Sequence, residues 1–365
     1  MRAASSGIGR FLALVDDRLE SVLAEEEARL DNPHMATLLG PLRRLVLSEG
    51  KRIRPMFCYW GWRGAGGVED LAVGHDLVGA AAALELVHTC AIVHDDLMDR
   101  SERRRGRPSL HRELAVWHRG RRLRGDADDF GTSGALLAGH LCLVWADRLL
   151  ERTAAGTSGG VRSLSQELRA EVSAGQYLDL LAGAGAVGGS LSSCLHLARL
   201  KTAGYTVEKP LHMGGLVGGA GPEVLESYTA YGVPLGVAFQ LADDLADAMD
   251  EPGTDGGEDL RAGKATALLA LARQGADPAE LGLLDTWVGS PAMGETEMAA
   301  VREVLATTGA LDAVQGLIAD QVAQAQRALE TAPIPLPARA ALSDLAAAVG
   351  HGGDRQGRSR VAVAG

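Results

Sequence analysis

Lysine is scarce in this chain of 365 residues. The sequence has 36 basic residues, and only four of them are lysines: Lys51, Lys201, Lys209 and Lys264. An ammonium group is a compact point charge on a flexible stem, whereas a guanidinium group is a planar fork. Each retained lysine is therefore a candidate for a role that arginine does not fill.

Aromatic residues and positive charge are also limited. Aromatics make up 4% of the chain against 46% apolar residues, so a large core must consist mainly of Leu, Ala and Val. The formal net charge is −11. This excess of negative charge argues against a nucleic-acid partner, because nucleic-acid binding relies on a basic surface.

Cysteine pairs and long apolar segments are missing as well. The cysteines at 58, 90, 142 and 194 are far apart, and none is part of a CxxC pair. This spacing disfavours a zinc site or a disulfide framework and predicts a cytoplasmic protein. Charge or glycine interrupts the apolar stretches, and the run at 11–15 is too short for a signal peptide, so we expect no membrane-spanning helix.

Helical periodicity dominates the rest of the chain. Apolar residues recur at helical spacing over 11–30, 71–98, 133–152, 163–182 and 297–330. No convincing alternating strand is present, and no linker-like composition divides the pattern. We therefore predict one all-α domain over 1–349, a large helical bundle around a central apolar cavity. The Gly- and Arg-rich segment 350–365 is predicted to be a disordered tail.

A DDxxD motif occurs twice, each time at the end of an apolar helical stretch. In a helix, residues i and i+4 share a face and residue i+1 lies about 100° away, so each motif presents two carboxylates together and a third beside them. Clustered carboxylates repel one another without a cation, and oxygen ligands without His or Cys favour Mg²⁺ with substrate phosphates. The six aspartates are Asp95, Asp96, Asp99, Asp243, Asp244 and Asp247.

A single DDxxD motif is equally typical of a solvated helix end. Its recurrence at the same place in the helical pattern favours a metal and diphosphate site. The motifs alone do not name a reaction, since terpene cyclases also use acidic helical clusters with Mg²⁺.

Basic and polar residues accompany the two motifs. The segment GKRIRP at 50–55 places Lys51 and Arg54 three residues apart, on one face of a helix start, where they suit a second diphosphate. RRRGRP at 103–108 follows the first motif closely. Each basic segment alone is also compatible with a solvated surface or a salt-bridge network. Gln240 lies one turn before the second motif.

Together these segments resemble the trans-prenyltransferases of the polyprenyl diphosphate synthase family. The resemblance rests on five segments in the family's order: GKRIRP, HDDLMD, RRRGRPSLH, the KTA of 201–203, and FQLADDLAD. It implies the isoprenoid synthase type of all-α fold and a likeness to farnesyl and geranylgeranyl diphosphate synthases. Those enzymes condense isopentenyl diphosphate with an allylic diphosphate, commonly as homodimers.

The resemblance also assigns roles residue by residue. The six aspartates of the two motifs match the ligands of Mg²⁺, expected as three ions around the allylic diphosphate. Arg104, Lys201 and Lys264 match contacts to that diphosphate, and Thr202 and Gln240 match polar groups near the developing carbocation. The homoallylic diphosphate site is matched by four residues, Lys51, Arg54, His88 and Arg105.

Product length is implied by residues just before the first motif. In the family, a bulky aromatic four or five residues before the first aspartate closes the product tunnel early. Here those positions are Ala91 and Cys90, and Val87 lies one turn deeper. The small side chains favour geranylgeranyl diphosphate as the product and leave farnesyl diphosphate and longer products open.

Two departures from the family and three alternatives remain, and one departure is His140, which stands where relatives often have Asp. The segment between Asp247 and Asp259 lacks the lysine that many relatives carry, which would weaken closure over the diphosphate or shift that work to Lys264.

A class I terpene cyclase would leave the second basic site unexplained, and 14 aromatics are few for a cyclase pocket. A non-catalytic partner subunit would be expected to lose one aspartate motif. Irregular, head-to-middle coupling of two allylic units also stays open.

Overall fold

A computed structural model describes residues 2–48, 50–68, 71–72, 75–104, 106–153, 159–186, 189–249 and 256–350 of this protein. The described chain is helical almost throughout, which confirms the all-α prediction. Its α-helices are α1 Arg2–Leu30, α2 Ala36–Val46, α3 Ile53–Gly64, α4 Asp76–Met98, α5 Leu110–Gly120, α6 Ala127–Thr153, α7 Gly160–Gly183, α8 Leu191–Ala198, α9 Lys209–Val217, α10 Pro222–Met249, α11 Glu258–Ala262, α12 Ala267–Gly275, α13 Pro278–Trp287, α14 Glu295–Thr307, α15 Ala310–Glu330 and α16 Leu336–Gly350.

Three short elements complete the description. A 3₁₀ turn spans Pro33–Met35, and a two-stranded antiparallel hairpin pairs β1 Arg103–Arg104 with β2 Arg107–Pro108. The hairpin is the one place where described residues depart from the prediction of no strand, and it is too short for an alternating pattern. The segment 297–330 contains two helices, α14 and α15, because the chain turns at Gly309 with a positive φ of 72°.

The helices share one core. Buried apolar side chains form a cluster that extends from Ile8 on α1 to Val349 on α16. Within it α4 packs against α6, and α10 packs against α15. The predicted division into a domain over 1–349 and a tail over 350–365 stays a prediction, and every residue of that tail except Gly350 lies outside the described residues.

Helix α4 is the central helix of the site. It begins at the N-cap His75, whose side chain accepts a hydrogen bond from the Leu77 N–H, and Asp76 places a negative charge in its first turn. By length and composition α4 could cross a membrane, contrary to the expectation that no apolar stretch is long enough. However, 72% of its most apolar window is buried inside this fold, so its apolar surface is already covered by other helices.

A π-helical segment, Arg199–Glu208, connects α8 to α9 and carries Lys201 and Thr202. Wide turns of this kind are rare and occur frequently at functional sites. Two glycines let neighbouring helices approach its backbone. A Cβ on Gly236 of α10 would lie 2.3 Å from the Ala203 Cα, and one on Gly175 of α7 would lie 2.9 Å from the Lys201 nitrogen. The close packing fixes the direction in which this segment presents its polar side chains.

Candidate active site

The two aspartate motifs face each other across one cleft. Asp95 and Asp99, at the end of α4, line a cleft of about 300 Å³. On the opposite wall, α10 contributes the second motif, and the π-helical segment contributes Lys201 and Thr202. All three aspartates of the second motif line the cleft: Asp243, Asp244 and Asp247. The spacing of DDxxD therefore projects carboxylates into shared space, as the helical geometry predicts.

Asp96 points elsewhere. It is 1% exposed and is ion-paired with Arg104 of β1, whose Nε donates to its Oδ1 over 2.8 Å. Asp96 and Arg104 also line a neighbouring cavity of about 710 Å³ between α2, the hairpin and α5. Burial raises the pKa of Asp96 despite the Arg104 charge. The structure thus separates Asp96 from the cleft, and its role as a metal ligand stays a prediction.

Protein cations surround the first motif. Lys201 Nζ lies 3.5 Å from Asp95 Oδ1 and is also ion-paired with Asp179, and Gln176 Nε2 donates to the same Asp95 oxygen over 2.9 Å. Burial alone would raise the pKa of Asp95, but the charges of Lys201, Lys264 and Arg104 together hold it below its ordinary value. Asp95 is therefore ionised before any ligand arrives.

The second motif has a different electrostatic setting. Burial, together with the negative charges of Asp259 and Asp243, raises the pKa of Asp244 to about 8. Gln240 Nε2 donates to Asp244, and Thr202 Oγ1 donates to the Gln240 carbonyl oxygen. The predicted pair of Thr202 and Gln240 is thus brought together and connects the π-helical segment to the second motif.

Asp247 organises the segment after the second motif. Its carboxylate accepts hydrogen bonds from the backbone N–H groups of Glu258 and Asp259, at 3.3 and 3.0 Å, at the start of α11. Lys264, just after α11, lies 2.9 Å from Asp99 and 3.1 Å from Asp259. Lys264 therefore bridges the first motif and the segment beyond the second. The lysine-free stretch 247–259 includes 250–255, which lie outside the described residues.

The predicted homoallylic site is partly assembled. Arg54 stacks on the Tyr205 ring, 4.1 Å from its centroid, and donates to Thr206 Oγ1 over 3.0 Å. His88 Nδ1 lies 2.8 Å from the Tyr205 hydroxyl. Lys51 is exposed just before α3, and Arg105 lies outside the described residues. Tyr205 thus holds Arg54 and His88 side by side, although α3 and α4 present them from different directions.

Arg52 fixes the conformation of the segment that presents Lys51 and Arg54. Its φ of 46° is in the left-handed region, which costs a non-glycine residue free energy unless its surroundings impose it. Arg52 NH1 donates to Glu85 of α4 over 2.7 Å, and the same guanidinium reaches Asp16 at 2.9 Å. Both groups of the Arg52–Glu85 pair are largely buried, so the pair fastens the basic segment to α4.

An apolar-walled cavity continues from the cleft. It has a volume of about 260 Å³, and Asp95 lines both spaces. The three predicted chain-length positions, Val87, Cys90 and Ala91, all line it. No aromatic side chain is present at any of the three positions, so none closes the cavity at their level.

The donor set fits magnesium. Five aspartates of the two motifs line the cleft together with Asp179, Glu258 and Asp259. Cys194 is the soft ligand nearby, and burial raises the pKa of its thiol to about 11. Among the described residues, no three His, Cys, Asp or Glu side chains converge on one point as a preformed metal site. Mg²⁺ is usually held by one or two carboxylates with waters and substrate phosphates, so separated carboxylates on two walls suit it.

The sequence of this chain matches a known family. A model of polyprenyl synthetases matches residues 35–306. The chain belongs to this family. The match covers both aspartate motifs and the π-helical segment, and it confirms the resemblance drawn from the motifs.

Solved and curated members of the family are similar over most of the chain. A geranylgeranyl pyrophosphate synthase from Corynebacterium glutamicum, solved with isoprenyl diphosphate and magnesium, is 33% identical with a TM-score of 0.86; the match covers 95% of this chain and 99% of that one. A (2E,6E)-farnesyl diphosphate synthase of Mycobacterium tuberculosis is 33% identical over 82% of this chain and 80% of its own length. A geranylfarnesyl diphosphate synthase of Aeropyrum pernix is 30% identical over 81% and 88%. These likenesses confirm the isoprenoid synthase fold.

Three site residues were missed by the sequence analysis: Gln176, Asp179 and Tyr205. Gln176 and Asp179 are three residues apart on α7 and contact Asp95 and Lys201, respectively. In the sequence, the signal for these two residues was a pair of polar side chains three positions apart in an amphipathic helix. Tyr205, four residues after Lys201, reads as a core aromatic in the sequence. Only the structure shows that it contacts both Arg54 and His88.

Proposed function

We propose that this protein elongates an allylic diphosphate with isopentenyl diphosphate, one five-carbon unit at a time, and that geranylgeranyl diphosphate is its product. The observation that carries the proposal is the cleft itself. Asp95 on α4 and Asp243 on α10 face a shared space that continues into a cavity with apolar walls. This arrangement suits a diphosphate head with a hydrocarbon tail.

The residues of the cleft support ionisation of the allylic substrate. In that step the allylic carbon–oxygen bond breaks and diphosphate leaves with the electron pair. Lys201, Lys264 and Arg104 supply positive charge near the departing oxygens, where negative charge grows. Bound magnesium, proposed as three ions, would add Lewis-acid charge to the same group. The pair of Thr202 and Gln240 presents oxygen atoms near the cation that remains.

The second basic group supports coupling rather than cyclisation. Arg54 and His88 lie beside Tyr205, away from the aspartate cleft, and Lys51 is exposed nearby in sequence. A terpene cyclase has no use for a second diphosphate site. Isopentenyl diphosphate held there would attack the allylic cation through its double bond, forming one carbon–carbon bond and losing a proton. The departing diphosphate accepts that proton.

The cavity supports a product of intermediate length. Small or medium side chains at Val87, Cys90 and Ala91 leave room that an aromatic would remove. The relatives carry different product names, farnesyl, geranylgeranyl and geranylfarnesyl, so family membership alone does not select one.

We also propose a cytosolic homodimer without a membrane-spanning segment. The apolar face of α6 supports the dimer, since Leu136 and Leu137 are 55% and 58% exposed. The burial of most of α4 and the four buried free cysteines support the cytosolic location. Sedimentation equilibrium of the wild type and of Leu137→Lys tests the dimer, which the charged variant should weaken.

The test of the reaction is product analysis with defined substrates. The purified protein is incubated with Mg²⁺, labelled isopentenyl diphosphate and dimethylallyl, geranyl or farnesyl diphosphate in turn, and the products are sized by mass spectrometry. We expect elongation, ending mainly at twenty carbons. Absence of elongation from every primer contradicts the proposal, and cyclic hydrocarbons or branched head-to-middle products would assign one of the alternative reactions.

A further inference from the structure

The apolar-walled cavity ends at a charged residue. Along α4 its wall extends from Met98 to Val87, and along α7 from Leu180 to Arg169. Gln176 contacts Asp95 at the mouth, so Arg169 lies seven residues deeper along α7, which is about 10 Å at the rise of an α-helix. Its charge also acts on the Cys90 thiol, which places it at the level of the chain-length residues.

Arg169 is held firmly in this position. Its NH1 and NH2 donate to the two carboxylate oxygens of Asp147 on α6, over 3.1 and 2.7 Å, and its Nε donates to the Ser165 carbonyl oxygen over 3.2 Å. All three guanidinium nitrogens are therefore hydrogen-bonded. A two-point arginine–carboxylate pair has a defined geometry, so the side chain is not free to swing aside as an unpaired arginine would be.

We propose that the Arg169–Asp147 pair forms the floor of the product cavity and stops growth of the prenyl chain. This inference rests on the proposed elongation activity. A hydrocarbon tail offers no hydrogen bond to the guanidinium group. Further growth would have to displace Arg169 from Asp147 and press a charged group against hydrocarbon, which is unfavourable, whereas the apolar wall above it favours the chain.

Other lining residues fit the wall better than the floor. His94, Gln176 and Met98 lie near the level of Asp95, and so do the exposed Tyr177 and Leu180, which follow Gln176 on α7. Val172 and Leu143, which lie deeper on α7 and α6, are apolar and can pack along a prenyl chain. Arg169 is the charged side chain at the deep end of this lining, and its partner Asp147 on α6 is half exposed, so the pair lies at the cavity end farthest from Asp95.

The experiment replaces the floor and measures product length. Arg169→Met keeps a long side chain but removes the charge, and products are sized after incubation with farnesyl diphosphate, isopentenyl diphosphate and Mg²⁺. We expect products longer by at least one five-carbon unit, with the ratio of longer to wild-type product rising at least tenfold. Arg162→Met is the matched control, because Arg162 is an exposed arginine two turns earlier on α7, and its products should equal those of the wild type.

A second variant keeps the test decisive if Arg169→Met does not fold. Asp147 is half exposed, and Asp147→Asn weakens the ion pair with Arg169 without changing the cavity lining. This variant should therefore lengthen the product to a smaller extent. Unchanged product lengths in both folded variants overturn the floor. A wild-type protein that elongates nothing contradicts the proposed function instead, so the two failures are distinguishable.

Discussion

The two aspartate motifs have the same sequence pattern and opposite electrostatic surroundings. Protein cations lie beside the first motif: Lys201 is near Asp95, and Lys264 is 2.9 Å from Asp99. In the second motif the carboxyl of Asp244 is buried beside other acids, and its pKa rises to about 8. The carboxylate of Asp95 on one wall of the cleft is thus kept ionised by neighbouring protein cations, whereas Asp244 on the other wall requires an added cation to lose its proton.

Lys264 connects these two settings. It pairs with Asp99 of the first motif and with Asp259, which raises the pKa of Asp244 through its negative charge. Its position accounts for one of the four lysines in an arginine-rich chain, since a compact ammonium fits between two carboxylates on different elements. The two motifs are thus coupled before any substrate binds.

The largest expected effect is loss of turnover when either motif is truncated. Asp95→Ala removes the residue common to the cleft and the cavity, and Asp243→Ala removes a carboxylate of the opposite wall. If both walls stabilise the charge of the departing diphosphate, as proposed, kcat/KM should fall about 1,000-fold or more in each variant. Steady-state kinetics measure this, with circular dichroism as the check of folding. Full activity in either variant would exclude that wall from catalysis.

Removal of the bridging lysine should have a smaller effect. Lys264→Ala leaves both motifs in place but removes the charge between them, so we expect kcat/KM for the allylic substrate to fall about 100-fold, as for loss of one preorganised charged donor. Lys209→Ala is the matched control, because Lys209 pairs with Glu171 and does not line the cleft. Equal losses in the two variants would mean that charge anywhere on the chain has the same effect.

Replacing one aspartate by asparagine should change the free energy of unfolding of the metal-free protein in opposite directions in the two motifs. Between about pH 4 and 8 the folded state keeps a proton on Asp244 that the unfolded state releases, so this residue makes the free energy of unfolding fall as the pH rises through that window. Asp244→Asn should therefore stabilise the metal-free protein at pH 8.5, by about 1–2 kcal/mol.

Asp95→Asn should have the opposite sign. The pKa of Asp95 is lowered in the folded state, so its ionised form adds stability above the ordinary value of 3.8, and this stability is lost as the pH falls below it. The variant should be less stable than the wild type at pH 7. Denaturant titrations without metal test both variants, and shifts of the same sign would break the contrast between the motifs.

The smallest expected effect concerns Tyr205. Tyr205→Phe keeps the ring under Arg54 and removes the hydroxyl that contacts His88. We expect KM for isopentenyl diphosphate to rise about threefold to tenfold, the loss of one hydrogen bond, with kcat and the allylic KM nearly unchanged. An equal rise in both KM values would argue for general loosening of the site rather than for positioning of His88.

Residue types and spacing allowed much of this site to be predicted. Helical periodicity identified the long helices. The i, i+4 geometry of DDxxD correctly placed Asp95 and Asp99 on one face of α4. Asp96, between them in sequence, points toward Arg104 instead. Contacts between distant segments leave no local pattern. Nothing near Asp95 in sequence indicates Gln176, 81 residues away, and the pairing of Arg169 with Asp147 depends on how α6 and α7 pack.

The π-helical turn and the tight packing at Gly236 were likewise beyond prediction. Both depend on the approach of α10 to the segment that carries Lys201. Single-sequence periodicity distinguishes a helix from a strand, but it does not reveal one wide turn within a helix.

The most direct test of the contrast between the motifs is a count of the protons released when Mg²⁺ and inorganic pyrophosphate bind at pH 7. Titration calorimetry in two buffers with different ionisation enthalpies gives this number for the wild type and for Asp244→Asn. Because Asp244 carries its proton at this pH and a cation displaces it, the wild type should release about one proton more than the variant. Equal proton release by the two proteins would show that Asp244 is already ionised without the metal, and the contrast between the motifs would then be wrong.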